Sequence, residues 1–224
     1  MEIIKAFSPN FNERLTPIDT LIIHYTDMTS AKGALAWLTN PLSQVSAHYL
    51  IDEQGHIYQM VEEDKRAWHA GESYWQGRTD INSCSIGIEL SNSGHSHGYQ
   101  PFPINQIRSL LKLSQKIITR WNIPSSRILG HSDIAPQRKQ DPGHLFPWKN
   151  LAQKGLGVWP KKIRKQKAID VVASLSQIGY ETTSPSCALL AFQRHFQPHK
   201  VDGIADKETL SLLQGLLNVH KALI

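Results

Sequence analysis

The chain has 224 residues, of which 40% are hydrophobic and 19% are charged. This composition is typical of a globular protein and is too apolar for a wholly disordered chain. No stretch approaches the roughly 18 consecutive apolar residues that a membrane span needs, which excludes an integral membrane protein. The formal net charge of +5 favours a polyanionic partner, and either a nucleic acid or a bacterial cell wall would meet that condition.

The first ten residues contain neither a basic segment followed by an apolar one nor a cysteine for lipidation. We therefore expect a cytoplasmic location, with the periplasm or cell envelope as the alternative. Cys84 and Cys187 are too few for a disulfide framework. Both are expected to be reduced and to pack as small hydrophobic residues.

Short apolar or alternating segments predict strands in the first 160 residues, at positions 21–25, 47–51, 56–61, 85–90 and 127–131. The second and third flank a turn and are expected to form a hairpin. From Ile104 to Trp121 the apolar residues recur at helical spacing. Strands interspersed with a long helix indicate an α/β fold with a mixed central sheet flanked by helices.

The strand at 85–90 alternates strictly between two faces. Ile86, Ile88 and Leu90 share one face, whereas Gly87 and Glu89 share the other. Glu89 is therefore predicted to lie opposite the apolar face of this strand.

A break in composition near residue 160 predicts two domains, at 1–160 and 161–224. The second is expected to contain three short helices, near 168–178, 188–196 and 207–217. Its core is too small to be more than marginally stable alone, so the second domain is expected to pack against the first. Five of the seven residues at 161–167 are basic. This run is interpreted as a linker or solvated helix start, with a nucleic-acid patch as the alternative, although it lacks interleaved aromatic residues.

Two histidines and an aspartate form a candidate metal site. His24 lies in a buried apolar strand, where an imidazole needs a polar partner. His131 ends another strand, and the loop that follows, stiffened by Pro136 and Pro142, can bring Asp141 back beside it. Two imidazoles and one carboxylate would hold zinc and leave a fourth position for water, which is typical of catalytic zinc. The alternative is a hydrogen-bonded core histidine and a capping aspartate.

Four ordered motifs, at residues 22–26, 68–71, 85–89 and 130–143, resemble those of the zinc-dependent N-acetylmuramoyl-L-alanine amidases. The resemblance is to the type 2, or phage-lysozyme-type, family in its AmiD-like branch, whose fold is shared with peptidoglycan recognition proteins. It covers residues from about 8 to 160. It implies that His24, His131 and Asp141 bind one Zn²⁺, and that Glu89 and Lys139 are the catalytic carboxylate and lysine.

The chemistry of these residues agrees with the roles that the resemblance implies. A carboxylate such as Glu89 can accept a proton from an attacking water, and a lysine such as Lys139 can stabilise an oxyanion. The alternatives are an exposed strand carboxylate and a solvated loop cation. Some members of the family have a tyrosine at the position of Ala47, so the mechanism expected here is the one that uses Glu89.

Three further residues are candidates for substrate binding. His69 is predicted to line the cleft beside Trp68, Asn92 to hydrogen-bond the substrate peptide, and Arg78 to bind a peptide carboxylate. Each has a structural or surface role as its alternative. His48 is expected in the core rather than on the metal, and the histidines of 95–97 are expected to be solvent-exposed.

The second domain resembles the small helical peptidoglycan-binding module, through Phe192-Gln193 followed by Asp202-Gly203. The resemblances together imply a monomeric hydrolase that cleaves the amide between N-acetylmuramic acid and L-alanine in peptidoglycan or muropeptides. No nucleic-acid partner and no integral membrane association are expected. A non-catalytic peptidoglycan-recognition protein is the alternative. Truncation after Pro160 is expected to spare activity on soluble muropeptides, unless it exposes apolar surface.

Overall fold

A six-stranded sheet is the centre of the computed structural model, which describes residues 2–163 and 168–222. The strands are β1 (Ile3–Lys5), β2 (Phe11–Glu13), β3 (Thr20–Tyr25), β4 (Tyr49–Ile51), β5 (Ile57–Gln59), β6 (Lys65–Ala67), β7 (Ser85–Leu90) and β8 (Ile128–Gly130). The helices are α1 (Ala31–Leu38), α2 (Ile81–Cys84), α3 (Ile104–Trp121), α4 (His131–Ile134), α5 (Trp148–Ala152), α6 (Val171–Ile178), α7 (Pro185–Phe196) and α8 (Lys207–Ala222).

The strand order in the main sheet is β1-β5-β4-β7-β3-β8. Only β4 and β5 pair antiparallel within it, and the other neighbouring strands are parallel. β2 and β6 form a separate antiparallel pair. The prediction of a mixed central sheet is therefore confirmed, as is the predicted hairpin, which is formed by β4 and β5.

β3 lies between β7 and β8, and all six of its residues are buried. A strand that is paired on both edges and covered on both faces needs a nearly continuous apolar sequence, which Leu21, Ile22 and Ile23 supply. His24 interrupts this apolar run and is directly opposite Glu89 of β7 in the register. The sheet itself thus brings a predicted metal ligand and the predicted catalytic carboxylate onto neighbouring strands.

α3 has the bounds that its apolar spacing predicts. Leu110, Leu113 and Ile117 of this helix are buried in one cluster with Ile86 and Ile88 of β7. This face of the sheet forms one of the two main cores, and it leaves the opposite face of β7 for Glu89.

The sequence analysis did not predict α1. This helix begins after Ser30, whose side chain accepts a hydrogen bond from the backbone N–H of Gly33. Only Ala34 and Leu38 of the helix are buried, so its apolar spacing is too short to stand out. Trp37, on the same helix, is half exposed.

The three helices predicted in the last part of the chain are present as α6, α7 and α8. They share a core with the first part, because Ile22 and Ile134 are buried in one cluster with Leu175, Phe192 and Leu213. The domain division at residue 160 stays a prediction; the C-terminal helices share this core with the first part, whereas the core on the α3 face belongs to the first part alone. Of the basic run at 161–167, residues 164–167 lie outside the described residues.

Membrane-spanning helices are absent from the part of the chain that the structure describes, since none of its helices is both long and apolar enough.

Candidate metal centre and active site

Three buried ligand atoms converge at the end of β3. Nδ1 of His24 lies 2.9 Å from Nδ1 of His131, and the carboxylate oxygen Oδ2 of Asp141 lies 3.1 and 3.0 Å from these two nitrogens. Each residue comes from a different segment: His24 from β3, His131 from the start of α4, and Asp141 from the loop beyond it. Among the described residues, this is the cluster that could hold a metal ion.

The hydrogen bonds of His24 leave its Nδ1 free to bind a metal. The hydroxyl of Ser85 donates to the carbonyl of Ile81 at 2.6 Å, so its oxygen can accept from Nε2 of His69 at 3.2 Å. Nδ1 of His69 then accepts from Nε2 of His24 at 3.0 Å. A proton on Nε2 of His24 leaves the lone pair of its Nδ1 directed at the cluster.

His131 is held in the same way by a shorter connection. Its Nε2 donates to the carbonyl of Ala70 at 3.0 Å, which leaves its Nδ1 as an acceptor. Burial lowers the pKa of His24 to about 4, so its imidazole is neutral near pH 7. Although burial opposes the effect, His131 and His24 hold the pKa of Asp141 below its ordinary value. The site thus offers two imidazole nitrogens and one carboxylate, a donor set that fits a divalent ion such as zinc.

Two glycines make room for this arrangement. A Cβ at Gly87 would lie 2.5 Å from Cγ of His69, so only glycine lets that ring reach His24. A Cβ at Gly130 would lie 2.7 Å from Cδ of Pro142, the residue after Asp141. Both glycines therefore permit close approaches on which the positions of the ligands depend.

Glu89 lies beside the metal cluster and is incompletely paired. Its Oε2 atom is buried and has no hydrogen-bond partner within the described ranges. Burial, reinforced by the negative charge of Asp141, raises the pKa of Glu89 to about 8, and Lys139 acts in the opposite direction. A carboxyl whose protonated and ionised forms are both accessible near neutral pH is suited to general acid–base catalysis.

A cavity of about 440 Å³ opens onto these groups. We call it the active-site cavity. It is lined by Tyr25, Thr26, Asp27, Trp37, Leu38, Val45, Ser46, Trp68, His69, Glu89, His95, Ser96, His131, Arg138, Lys139, Gln140 and Asp141. Glu89, Lys139 and the metal cluster are thus accessible from one space.

A family model described as N-acetylmuramoyl-L-alanine amidase matches residues 14–144. The chain belongs to this family. The similar proteins include AmiD of Escherichia coli K12, which is 38% identical over 91% of this chain and 83% of AmiD. The 1,6-anhydro-N-acetylmuramyl-L-alanine amidase AmpD of Haemophilus influenzae is 39% identical over 63% of this chain and 85% of AmpD.

Solved structures of two relatives have the same fold. One is E. coli AmiD in complex with its substrate anhydro-N-acetylmuramic acid-L-Ala-D-gamma-Glu-L-Lys. It superposes with a TM-score of 0.80 and 36% identity over 96% of this chain and 91% of that chain. The other is AmpDh3 of Pseudomonas aeruginosa, with a TM-score of 0.83 and 30% identity over 91% of this chain and 92% of that chain.

The three residues predicted to bind substrate have different positions in the amidase, and one of them, His69, lies on the active-site cavity. His69 lines the active-site cavity as predicted, and it also orients His24. The amide of Asn92 instead donates to the carbonyl of Gln100 at 2.8 Å and accepts from the N–H of Gly94 at 3.0 Å. Asn92 is buried and outside the cavity lining, so its side chain shapes the loop after β7.

Arg78 lies away from the active-site cavity of the amidase. Its guanidinium donates to a carboxylate oxygen of Asp19 at 2.7 Å, at the far end of β3 from His24. This ion pair satisfies the charge that was predicted to bind a peptide carboxylate. No sequence pattern indicates which end of the sheet Arg78 reaches.

The remaining histidine predictions have mixed outcomes. His48 is fully buried, and its Nδ1 accepts from the N–H of Gly87 at 3.0 Å, which confirms a core role. His95 is exposed as predicted, but it also lines the active-site cavity and lies 2.6 Å from the hydroxyl of Tyr25. The sequence analysis therefore missed His95 as a residue of the site.

Trp37 and Arg138 also line the cavity without having been predicted there. Trp37 is on the unpredicted helix α1. Arg138 donates to the carbonyls of Ala70 and Glu72, and Ala70 is also the residue that fixes His131. Arg138 could have been predicted from the sequence, because it directly precedes Lys139 in the motif at residues 130–143.

Proposed function

We propose that the protein is a zinc-dependent hydrolase that cleaves the amide between the lactyl group of N-acetylmuramic acid and L-alanine. The observation that carries the proposal is the convergence of His24, His131 and Asp141 beside Glu89 in one accessible cavity. The complete ligand set and the family membership favour an enzyme over a non-catalytic recognition protein. The names of the AmiD substrate and of AmpD support a 1,6-anhydro muropeptide as an accepted substrate.

His24, His131 and Asp141 would hold the zinc ion. When bound, zinc would polarise the scissile carbonyl and make water a nucleophile near neutral pH. Glu89 accepts a proton from the attacking water and transfers it to the leaving amine of L-alanine. The ammonium group of Lys139 stabilises the oxyanion that develops on the former carbonyl oxygen.

The walls of the active-site cavity bind and orient the substrate. Trp37 and Trp68 present flat apolar surfaces on its lining, and these suit the apolar face of a sugar ring. His69 maintains the tautomer of His24 while the reaction proceeds. The protein's own contribution is thus positioning, together with proton transfer at Oε2 of Glu89.

The test is hydrolysis of anhydro-N-acetylmuramoyl-L-Ala-D-γ-Glu-L-Lys, with the products identified by mass spectrometry. We expect free tripeptide to be released, chelation to abolish its release and zinc to restore it. Glu89→Gln should retain the metal but lower kcat about 100-fold or more, since it removes the proton acceptor.

The matched control is Glu13→Gln, which changes an exposed glutamate paired with Lys65 on the surface and should leave kcat unaltered. Full activity in protein verified to be free of metal would contradict the zinc proposal. Cleavage at another bond, with no new amino terminus on L-alanine, would contradict the proposed reaction.

A further inference from the structure

A second cavity, of about 790 Å³, continues from the active-site cavity toward the C-terminal helices. The two cavities share His95 and Gln140. One wall of the second cavity is the loop that follows Asp141, and the other is α7 with the segment after it. We call this second cavity the basic groove, because its lining includes Arg194, His95 and His144 and contains no aspartate or glutamate.

Arg194 is a partly buried cation for which the described residues provide no hydrogen-bonded counter-charge. Its Nη1 atom is buried and has no hydrogen-bond partner among the described residues. Burial lowers the pKa of the guanidinium, although the negative charge of Asp133 opposes this effect. A cation that is removed from water without a hydrogen-bonded partner lowers stability, so its position on the wall of a groove calls for an anion from outside the chain.

Both oxygens of the nearby Asp133 carboxylate already have hydrogen-bond partners other than Arg194. Its Oδ1 atom accepts from the hydroxyl of Tyr180 at 2.7 Å. Its Oδ2 atom accepts from the N–H of Gly130 at 2.7 Å, and Nδ1 of His195 also lies 2.7 Å away. Asp133 therefore attracts Arg194 through its charge but leaves the donors of the guanidinium to another acceptor.

The groove is close enough to the reacting centre to receive the peptide of a bound substrate. Gln140, which lines both cavities, directly precedes Asp141 in the chain. His95, at the junction of the two cavities, stacks on Tyr99 with ring centroids 4.5 Å apart. The junction is thus a fixed aromatic surface rather than a charged barrier.

The proposed substrate carries carboxylates on the peptide side of the scissile bond. In a peptide linked through the γ-carboxyl of D-glutamate, the α-carboxylate of that residue remains free, and the last residue carries a second carboxylate. Arginine binds a carboxylate with two parallel, charge-assisted hydrogen bonds. The groove therefore combines a cationic wall with direct continuity to the cavity that contains the proposed reacting centre.

We infer that Arg194 is a substrate-binding residue, which binds a carboxylate of the stem peptide beyond L-alanine. This inference rests on the proposed function. It gives the C-terminal helices a part in recognising each substrate molecule, separate from any attachment to an insoluble wall. The anion is the free α-carboxylate of D-glutamate or the carboxylate of the last residue.

The test measures kcat/KM on three muropeptides. One is N-acetylmuramoyl-L-Ala-D-γ-Glu-L-Lys, one has the α-carboxylate of D-glutamate amidated, and one has the terminal carboxylate amidated. For the wild type, we expect amidation of the bound carboxylate to lower kcat/KM about 10-fold or more, mainly through KM. Arg194→Gln should lower kcat/KM by a similar factor on the unmodified peptide, yet have little effect on the peptide that lacks the bound carboxylate.

Arg194→Lys keeps the charge and should restore part of the loss. Arg108→Gln is the matched control, because Arg108 is exposed on α3 and lies on neither cavity. The amidated peptide that no longer responds to Arg194→Gln identifies the bound carboxylate. An equal loss on all three peptides would overturn the inference and leave Arg194 a structural residue.

Thermal unfolding and zinc content of each variant show whether the fold and metal site are intact. If Arg194→Gln does not fold, the kcat/KM values of the wild type on the three peptides are the test. Equal values on all three would refute a carboxylate site. A wild type that cleaves none of them would instead contradict the proposed function.

Discussion

Gly87 sets the position of His69 and, through His69, the position of His24, a proposed metal ligand. The backbone of Gly87 lies directly under the His69 ring, where a Cβ would come within 2.5 Å of Cγ. Nδ1 of His69 in turn accepts a hydrogen bond from Nε2 of His24. Partners of this kind orient metal ligands, and their loss commonly lowers metal affinity.

Gly87→Ala should therefore weaken metal binding although it touches no ligand. We expect about 10-fold lower zinc affinity and a free energy of unfolding lowered by about 2 kcal/mol, because the core is overpacked. Competition with a chromogenic chelator measures the first, and denaturant unfolding measures the second. Unchanged zinc affinity would mean that the position of His69 does not control His24.

The convergence of His24, His131 and Asp141 was predictable because each has a strong local signal. His24 interrupts an apolar strand, and His131 and Asp141 frame a proline-stiffened loop. Arg78 and Asn92 have polar side chains with no such constraint, and their partners, Asp19 and Gln100, depend on the folded loops around them. A motif can thus identify ligands, whereas contacts between loops decide where other polar residues point.

At the scale of elements, Asp133 joins the ligand-bearing turn to the C-terminal helices. Within its own turn it accepts from the N–H of Gly130, the residue before His131. From the last part of the chain it bonds Tyr180 and His195. The ring of His195 is stacked between Trp148 and Phe196, with centroids 3.9 and 4.0 Å away. The start of α4 is therefore held from both parts of the chain.

Asp133→Asn should disturb both stability and the metal site. The new amide nitrogen would face the N–H of Gly130 at the position of Oδ2, or would require the hydroxyl of Tyr180 to reverse its hydrogen bond at the position of Oδ1. We expect a loss of about 2–4 kcal/mol in the free energy of unfolding and about 10-fold lower zinc affinity. Asp64→Asn is the control, since the Asp64 side chain is 66% exposed. Reduced stability with unaltered zinc affinity would confine Asp133 to a structural role.

Elements with strong periodicity were predictable, and those formed by short segments were not. α3 has its predicted bounds because its apolar residues recur over five turns of helix. α1 escaped prediction because few of its residues are buried, and it carries Trp37 to the active-site cavity. One wall of the active-site cavity was therefore not predicted, although the proposed metal ligands were.

At the scale of the whole molecule, the C-terminal helices form a structural part of the amidase. Trp75 packs against Tyr180 with ring centroids 5.0 Å apart, and the backbone N–H of Gln76 donates to the carbonyl of Gly179 at 3.0 Å. Together with the shared apolar cluster around Ile22, these contacts make removal of the helices a change to the core. The small size of the second part predicted that it leans on the first, and the shared cluster confirms this contact, whereas the boundary at residue 160 stays a prediction.

Truncation after Pro160 is consequently expected to impair activity even on soluble muropeptides. It removes the apolar cover of Ile22, Leu129 and Ile134 and two of the partners of Asp133. We expect the truncated protein to unfold at lower temperature and to aggregate, because it exposes new apolar surface.

The measurements are the monomer fraction by light scattering, the unfolding temperature and kcat/KM on a soluble muropeptide. The full-length Arg194→Gln variant is the comparison, because it loses the proposed carboxylate contact and keeps the core. A soluble, monomeric truncated protein that matches this variant on the muropeptide but fails on intact cell wall would show instead that the helices form a detachable wall anchor.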